Sequence, residues 1–424
     1  MRFKKLCLIL LAIGLLGMTV VWAAEQNWVD RTMISGMSLF VQKTNSPVID
    51  VALLLKTGSG IEKDKKGSAM IMNNLVMLKL KYGEAKLSEV DVNTYPDYTL
   101  IEIRTTNQAL KKVLKEIRDL LSYPLYSYDI ITDLKGIYQT DLEGVSALAN
   151  SYYDFNQEFY GKDHPYNNNL TPESIKALSG TDVYRWYRQT YQPGNAILSI
   201  AGDVNLSIGE LEKVFKEMIS EKANWRLDVD PIKLTKDRVL EVEDRNGREA
   251  SVAIGMSAPR IQDPEYPAFR VLSYYLGEYM HYFEELRVKE GLFYSNYVFY
   301  DYLGRFQAPN IILLTTTDPE SLKRVETRTL EVIDQIVKQG INQQEIDEVV
   351  QAIKTKDKAD LEAGKGIAVT NALGYYINNP LVLDRNLWSK LEKVTTQDVK
   401  KAASKYLQNY LRVTYLPKEM PDNF

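Results

Sequence analysis

Hydrophobic residues along the 424-residue chain recur at two spacings, and each spacing marks a different kind of element. In "MSLFVQK", "TNSP" and "VIDVALLLKTGSG", β-branched and apolar residues flank a proline-containing turn, which predicts a strand hairpin. "KGSAMIMNNLVMLKLKYG", residues 66–83, predicts a helix with a broad apolar face of Met70, Met72, Leu75, Val76, Leu78 and Leu80. "TLIEIRTTNQALKKVLKEIRDLL" predicts a strand over 99–105 and then a helix capped near Asn107. Leu110, Val113, Leu114, Ile117 and Leu121 share one face of that helix.

The pattern returns in the second half. "NIILLTTTDPESLKRVETRTLEVIDQIV" is again a strand ending in threonines followed by an amphipathic helix, and Thr106 to Thr317 is an offset of 211 residues. "LSGTDVYRWYRQTYQPGNAILSIAGD" matches "VTTQDVKKAASKYLQNYLRVTYLPK" in outline, with Asp182 and Asp398 216 residues apart. Two matches at nearly one offset indicate duplication of a unit of about 200 residues. A chance recurrence of the strand–helix habit is the competing reading. The chain then reads as α+β, two homologous domains, each an antiparallel sheet with helices packed on one face. The expected division is 25–219, a polar linker over 220–237, and 238–424.

Residues 1–24 have the form of a secretory signal. "MRFKK" is basic, "LCLILLAIGLLGMTVVW" is apolar, and "VWAAE" offers small residues for cleavage after Ala23 or Ala24. The expectation is an exported protein, periplasmic or extracellular; left uncleaved, the same run is a membrane anchor. Cleavage removes Cys7, the one cysteine, so disulfides cannot stabilise the mature chain. Losing Arg2, Lys4 and Lys5 also moves the formal charge from −4 to −7, which argues against nucleic acid as a partner. Only His164 and His281 are available for imidazole chemistry. His164 lies in the loop-like "DHPY", and neither histidine has another histidine or cysteine at ligand spacing.

Several segments, in order, resemble the M16 metallopeptidase family, the insulinase, pitrilysin and processing-peptidase group. They are "GMSLFVQKTNSPVIDVALLLKTGSG", "DHPYNNNLTPESIKALSGTDVYRWYRQTYQPGNAILSIAGDVN", "SVAIGMSAPRIQDPEYPAFRVLSYYLG" and "FEELRVKEGLFYSNY". In active members the helix after the Gly-Ser strand carries His-x-x-Glu-His. Two imidazoles at i and i+4 bind zinc, the glutamate acts as base, and a further glutamate on a later helix completes the ligand set. The matching frame here puts Met70 and Asn74 at the histidine positions and Asn73 at the base position. A thioether and a neutral amide are poor zinc ligands, and asparagine cannot take a proton from water. The third ligand aligns near Gln139 or Thr140 in "LKGIYQTDLEG". The resemblance therefore implies a degenerate zinc motif and no metal on this chain. The stretch between Tyr82 and Asn93 is also shorter than in the family.

The second-half motif departs less. In peptide-binding members an arginine and a tyrosine seven residues later hold the substrate backbone and polarise the scissile carbonyl. Arg287 and Tyr294 stand at those positions, around Gly291. The same residues also read as an exposed, salt-bridged turn with a glycine C-cap. The resemblance implies the non-catalytic subunit of an exported zinc-dependent endopeptidase. It would bind unfolded peptide in trans for a zinc-motif-bearing homologue, with zinc on that partner in a heterodimer. The alternative is a peptide-binding or scaffold protein with no protease role. An active homodimeric peptidase conflicts with Met70, Asn73 and Asn74.

Overall fold

The computed structural model describes residues 32–417 apart from 85, 124–126, 144, 168, 219–226, 245–248, 278–283, 294, 363–365 and 378–384. The expected signal segment, His281 and Tyr294 lie outside the described residues.

The first half contains β1 (Thr32–Ile34), β2 (Met37–Lys43), β3 (Ile49–Leu55), α1 (Ser68–Tyr82), β4 (Glu89–Thr94) and β5 (Thr99–Thr105). Helices α2 (Asn107–Ser122), α3 (Tyr128–Glu143), α4 (Ala147–Tyr160), α5 (Pro172–Ala177) and α6 (Gly180–Thr190) follow, then β6 (Ala196–Gly202) and α7 (Ile208–Phe215). The second half repeats the sequence of elements. It runs β7 (Arg238–Asp244), β8 (Ala250–Ser257), α8 (Tyr266–Leu276), β9 (Ser295–Tyr300), β10 (Asn310–Thr317) and α9 (Leu322–Gln339). It ends with α10 (Gln343–Glu362), α11 (Ile367–Ile377), α12 (Arg385–Leu391), α13 (Thr396–Tyr406) and β11 (Leu411–Pro417).

The sheet orders are β1-β2-β6-β3-β5-β4 and β7-β11-β8-β10-β9. Apart from β1, each strand of the first sheet has a counterpart with the same neighbours in the second. That shared order is what a duplicated unit produces. Each sheet is antiparallel except for one parallel pair, β2 with β6 and β7 with β11. In both cases the strand that opens the half lies beside the strand that closes it.

Each half packs helices on one face of its own sheet, as expected for α+β. The opposite face is also covered, by a helix from the other half. All seven residues of β3 are buried for this reason. Val51, Leu53 and Leu55 face the helices of their own half, whereas Ala52 and Leu54 pack with Ala368, Ala372 and Leu373 of α11. Reciprocally, Phe155, Phe159 and Tyr160 of α4 pack on Ile312, Leu314 and Val413 of the second sheet. Polar pairs fix the register of this exchange. The Arg238 guanidinium donates to the Glu158 carboxylate at 2.6 Å, Tyr160 Oη donates to the Ala308 carbonyl at 2.8 Å, and Asn371 Nδ2 donates to Gln42 Oε1 at 2.8 Å.

The close approach of α4 needs Gly255 on β8, where a Cβ would collide with the Phe155 ring. Phe155→Ala should cost about 3–5 kcal/mol through the cavity it leaves. Gly255→Ala should cost about 1–3 kcal/mol through overpacking. Urea unfolding of the two single variants and the double variant checks both, with a clearly sub-additive double variant as the signature of direct contact.

Candidate functional site

Helix α1, which carries the motif positions, starts without a side-chain cap at its N-cap residue. Gly67 takes φ +98, a left-handed conformation natural to glycine, and has no side chain with which to cap. Glu62 supplies the acceptors instead. Its carboxylate accepts from the Ala69 amide at 2.6 Å and the Gly67 amide at 3.2 Å. Burial raises the Glu62 carboxyl to about 7, although both amides and Lys66 pull in the other direction. Lys79 and Lys81 lie in the last turn, where positive charge suits the helix dipole.

The helix runs between its sheet and the neighbouring helices, so more of its circumference is covered than an amphipathic stripe needs. Ile71, Met72, Asn73, Leu75, Val76 and Leu80 are buried, while Met70 and Leu78 of the expected face are only partly covered.

Asn73 is 6% exposed and donates from Nδ2 to Thr94 Oγ1 on β4 at 2.5 Å. Thr94 Oγ1 lies 3.1 Å from Thr99 Oγ1, which donates to the Thr57 carbonyl at 3.1 Å. A chain of neutral hydrogen bonds therefore ties the motif helix to the edge of the sheet. Asn74 Nδ2 donates to the Met70 carbonyl at 3.0 Å and also to the Tyr138 hydroxyl of α3. The sequence alignment pointed to Gln139 or Thr140 on this helix; the residue that faces the motif is Tyr138. Leu134, Tyr138 and Leu142 share the inward side at i, i+4 and i+8, whereas Thr140 is exposed and hydrogen-bonds back to the Gly136 carbonyl.

These side chains do not fit a zinc ion. The amide nitrogens of Asn73 and Asn74 are committed as donors, and the Asn73 Oδ1 is a buried acceptor with no hydrogen-bond partner. Met70 offers a thioether, and Tyr138, whose phenol is pushed above its ordinary value by burial, offers a neutral hydroxyl. Among the described residues no group of three or more His, Cys, Asp or Glu side chains could hold a metal ion. His164 serves packing: its Nδ1 accepts from the Tyr166 amide at 3.0 Å, its ring stacks on Tyr160, and burial lowers its pKa.

Strand β4, beside α1, is an edge strand, with Glu89, Asp91 and Asn93 exposed at alternate positions. The second-half motif lies in a π-helical turn, Glu284–Lys289. Gly291 closes that turn at φ +65 and donates its amide to the Arg287 carbonyl at 3.0 Å. The turn is salt-bridged, through Glu290, whose carboxylate takes Arg328 and Arg324 of α9, each at 2.8 Å. Those two guanidiniums hold Glu290 below the usual carboxylate range. The Arg287 side chain is exposed.

The residues at positions 70, 73 and 74 of α1 are a thioether and two amides, none of them a good zinc ligand. Residues 177–353 match the family model described as "Peptidase M16 inactive domain". A protease from Helicobacter pylori is similar at 18% identity and a TM-score of 0.78, covering 92% of this chain and 99% of that one. A peptidase M16 inactive domain from Pseudomonas fluorescens is similar at 17% identity and a TM-score of 0.78, covering 93% and 100%. The periplasmic protease PqqL from Escherichia coli is similar at 15% identity and a TM-score of 0.69, covering 93% of this chain and 47% of PqqL. No curated protein matches the chain. No described helix is long and apolar enough to cross a membrane.

Glu62 has a calculable effect on pH dependence. Its folded-state carboxyl lies above the ordinary 4.5, so its contribution to stability is full below that value and drains away as pH rises through about 7. Glu62→Ala orphans two amides and should cost about 1–3 kcal/mol at pH 5.5. It should also flatten part of the decline between pH 5.5 and 8, which urea titrations at the two pH values would show.

Proposed function

We propose that the chain is the non-catalytic subunit of an exported, zinc-dependent M16-type endopeptidase. Its partner is a homologue with an intact His-x-x-Glu-His helix, and the zinc and hydrolytic chemistry belong to that partner. This chain receives an unfolded peptide and orients it with Arg287 and Tyr294. Guanidinium is a permanent cation with several donors that can grip backbone carbonyls, and a phenol is a neutral donor suited to a developing oxyanion. An exposed sheet edge such as β4 offers the backbone groups that an extended peptide can pair with.

The observation that carries this reading is the state of α1. The helix is intact and packed against its sheet, yet amides and a thioether stand at its motif positions, and the amides hydrogen-bond within the chain. A helix of this kind suits a chain that works beside a zinc-bearing partner.

Peptide cleavage by the mature chain, alone and mixed with the zinc-motif homologue of its organism, tests the reading. The expected result is cleavage only in the mixture, abolished by a chelator. Arg287→Ala in the mixture should lower kcat/KM roughly tenfold to a hundredfold, as loss of a charged hydrogen-bond donor to the peptide does. Unchanged turnover would remove Arg287 from the role. No cleavage in either sample, on a peptide that a control peptidase cuts, would move the chain to binding or assembly. Chelator-sensitive cleavage by this chain alone would refute the reading of α1.

A further inference from the structure

The β4–β5 turn, residues 95–98, is where the two halves meet through one carboxyl group. Asp97 is 1% exposed. Its Oδ2 accepts from the Tyr166 hydroxyl at 2.5 Å and its Oδ1 from Gln307 Nε2 at 2.8 Å. Gln307 belongs to the second half, just ahead of β10. Its Nε2 also donates to the Leu227 carbonyl at 2.7 Å, and its Oε1 accepts from the Val229 amide at 3.1 Å. Four segments far apart in sequence thus converge on the Asp97–Gln307 pair: the turn, the loop after α4, the segment between the halves, and the loop before β10. Behind the turn, the Ser59 amide donates to the Tyr95 carbonyl at 2.9 Å and the Gly60 amide to the Pro96 carbonyl at 3.0 Å. Tyr376 of α11 donates to the Asp97 carbonyl at 2.9 Å.

We propose that this junction is a proton-operated latch: with Asp97 neutral it holds the β4–β5 turn against the loop 301–307 of the other half, and with Asp97 ionised it loosens. The geometry provides hydrogen-bond donors for Asp97, while the nearby cation is engaged elsewhere. Arg305, two residues from Gln307 and itself 5% exposed, donates to Asp301 at 2.9 Å and to Tyr152 at 3.2 Å and lies over the Tyr160 ring. Tyr166 from the loop bonds the carboxyl, and the Tyr98 ring of the turn packs against Tyr95 and against Tyr376 of α11. Asp301 is the other charge on the second-half loop, and Asp228, between the two linker contacts, is exposed.

Burial pushes Asp97 up to about 7, and the charge of Asp301 acts in the same direction; the Tyr166, Gln307 and Phe306 donors oppose this without overcoming it. Tyr95, Tyr98 and Tyr166 are all raised, so they stay neutral throughout. A folded-state value above the ordinary 3.8 means the latch is tightest below that pH and slackens as pH rises through about 7. His164, which packs against Tyr166 at 5.4 Å, is lowered by burial, so its protonation weakens the junction at the acid end. That contribution has the opposite sign and cannot mimic the latch. Glu62 has the same sign and must be separated by mutation.

Hydrogen exchange of the full mature chain at pH 5.5 and 7.5, corrected for intrinsic chemical exchange, reads the latch in segments 95–98 and 301–307. Wild type should open roughly tenfold more at pH 7.5. Asp97→Asn, a neutral isostere, should reduce that change to less than about threefold by the same linkage. A wild type without the change, or an Asp97→Asn chain that keeps it, overturns the proposal. If Asp97→Asn does not fold, Tyr166→Phe replaces it. Losing one donor to the carboxylate must move the upper end of the transition to higher pH, and an unmoved transition overturns the proposal.

Discussion

A sheet with helices on one face still has a second apolar face to cover, and in this chain the other half covers it. Helix α4 leaves the first half to cover β8, β10 and β11, and α11 returns from the second half to cover β2, β3 and β6. Without that exchange, Ile312, Leu314 and Val413 on one side and Ala52 and Leu54 on the other would face water. The segment between the halves takes part in the same core: Leu227, Val229, Ile232 and Leu234 pack beside α4. Composition marks this stretch as a linker, yet its apolar residues serve as a seam. The positions of α1, β4 and the 284–291 turn relative to one another all depend on this interlock.

Around α1 the buried polar groups form a neutral arrangement. Burying a charged base such as glutamate at position 73 with no ion beside it would carry a large desolvation penalty. Asparagine at that position avoids the charge, and its remaining cost is one unpartnered acceptor, Oδ1. Tyr138 does the same from α3 by accepting from Asn74. The carboxylate that stays near the helix, Glu62, is at its N-terminus, where backbone amides and the helix dipole receive it.

The repeating strands and helices were legible because each has a clear hydrophobic period. The strand of residues 99–105 and the face of Leu110, Val113, Leu114, Ile117 and Leu121 are where the pattern puts them. The duplication was legible for the same reason, since a repeated element order leaves a repeated pattern. The exchange of α4 and α11 was not. A helix pattern such as "ALANSYYDFNQEFY" shows that a face is buried but not which sheet buries it. The contact of Tyr138 with Asn74 required the i, i+4 geometry of its helix, which residue types alone do not give. Asp97 gave no signal at all, because its environment is assembled from segments up to 210 residues away. The residue types at positions 70, 73 and 74 were plain in the sequence, and the packing around Asn73 and Asn74 adds where their donors go.

The hydrogen-bond chain from Asn73 to Thr57 also decides what the cell must supply for this polypeptide to mature. Amides, hydroxyls and one carboxylate hold the helix, and the chain itself supplies all of them. The docking of α1 on its sheet is then a folding event set by side chains already present on the polypeptide.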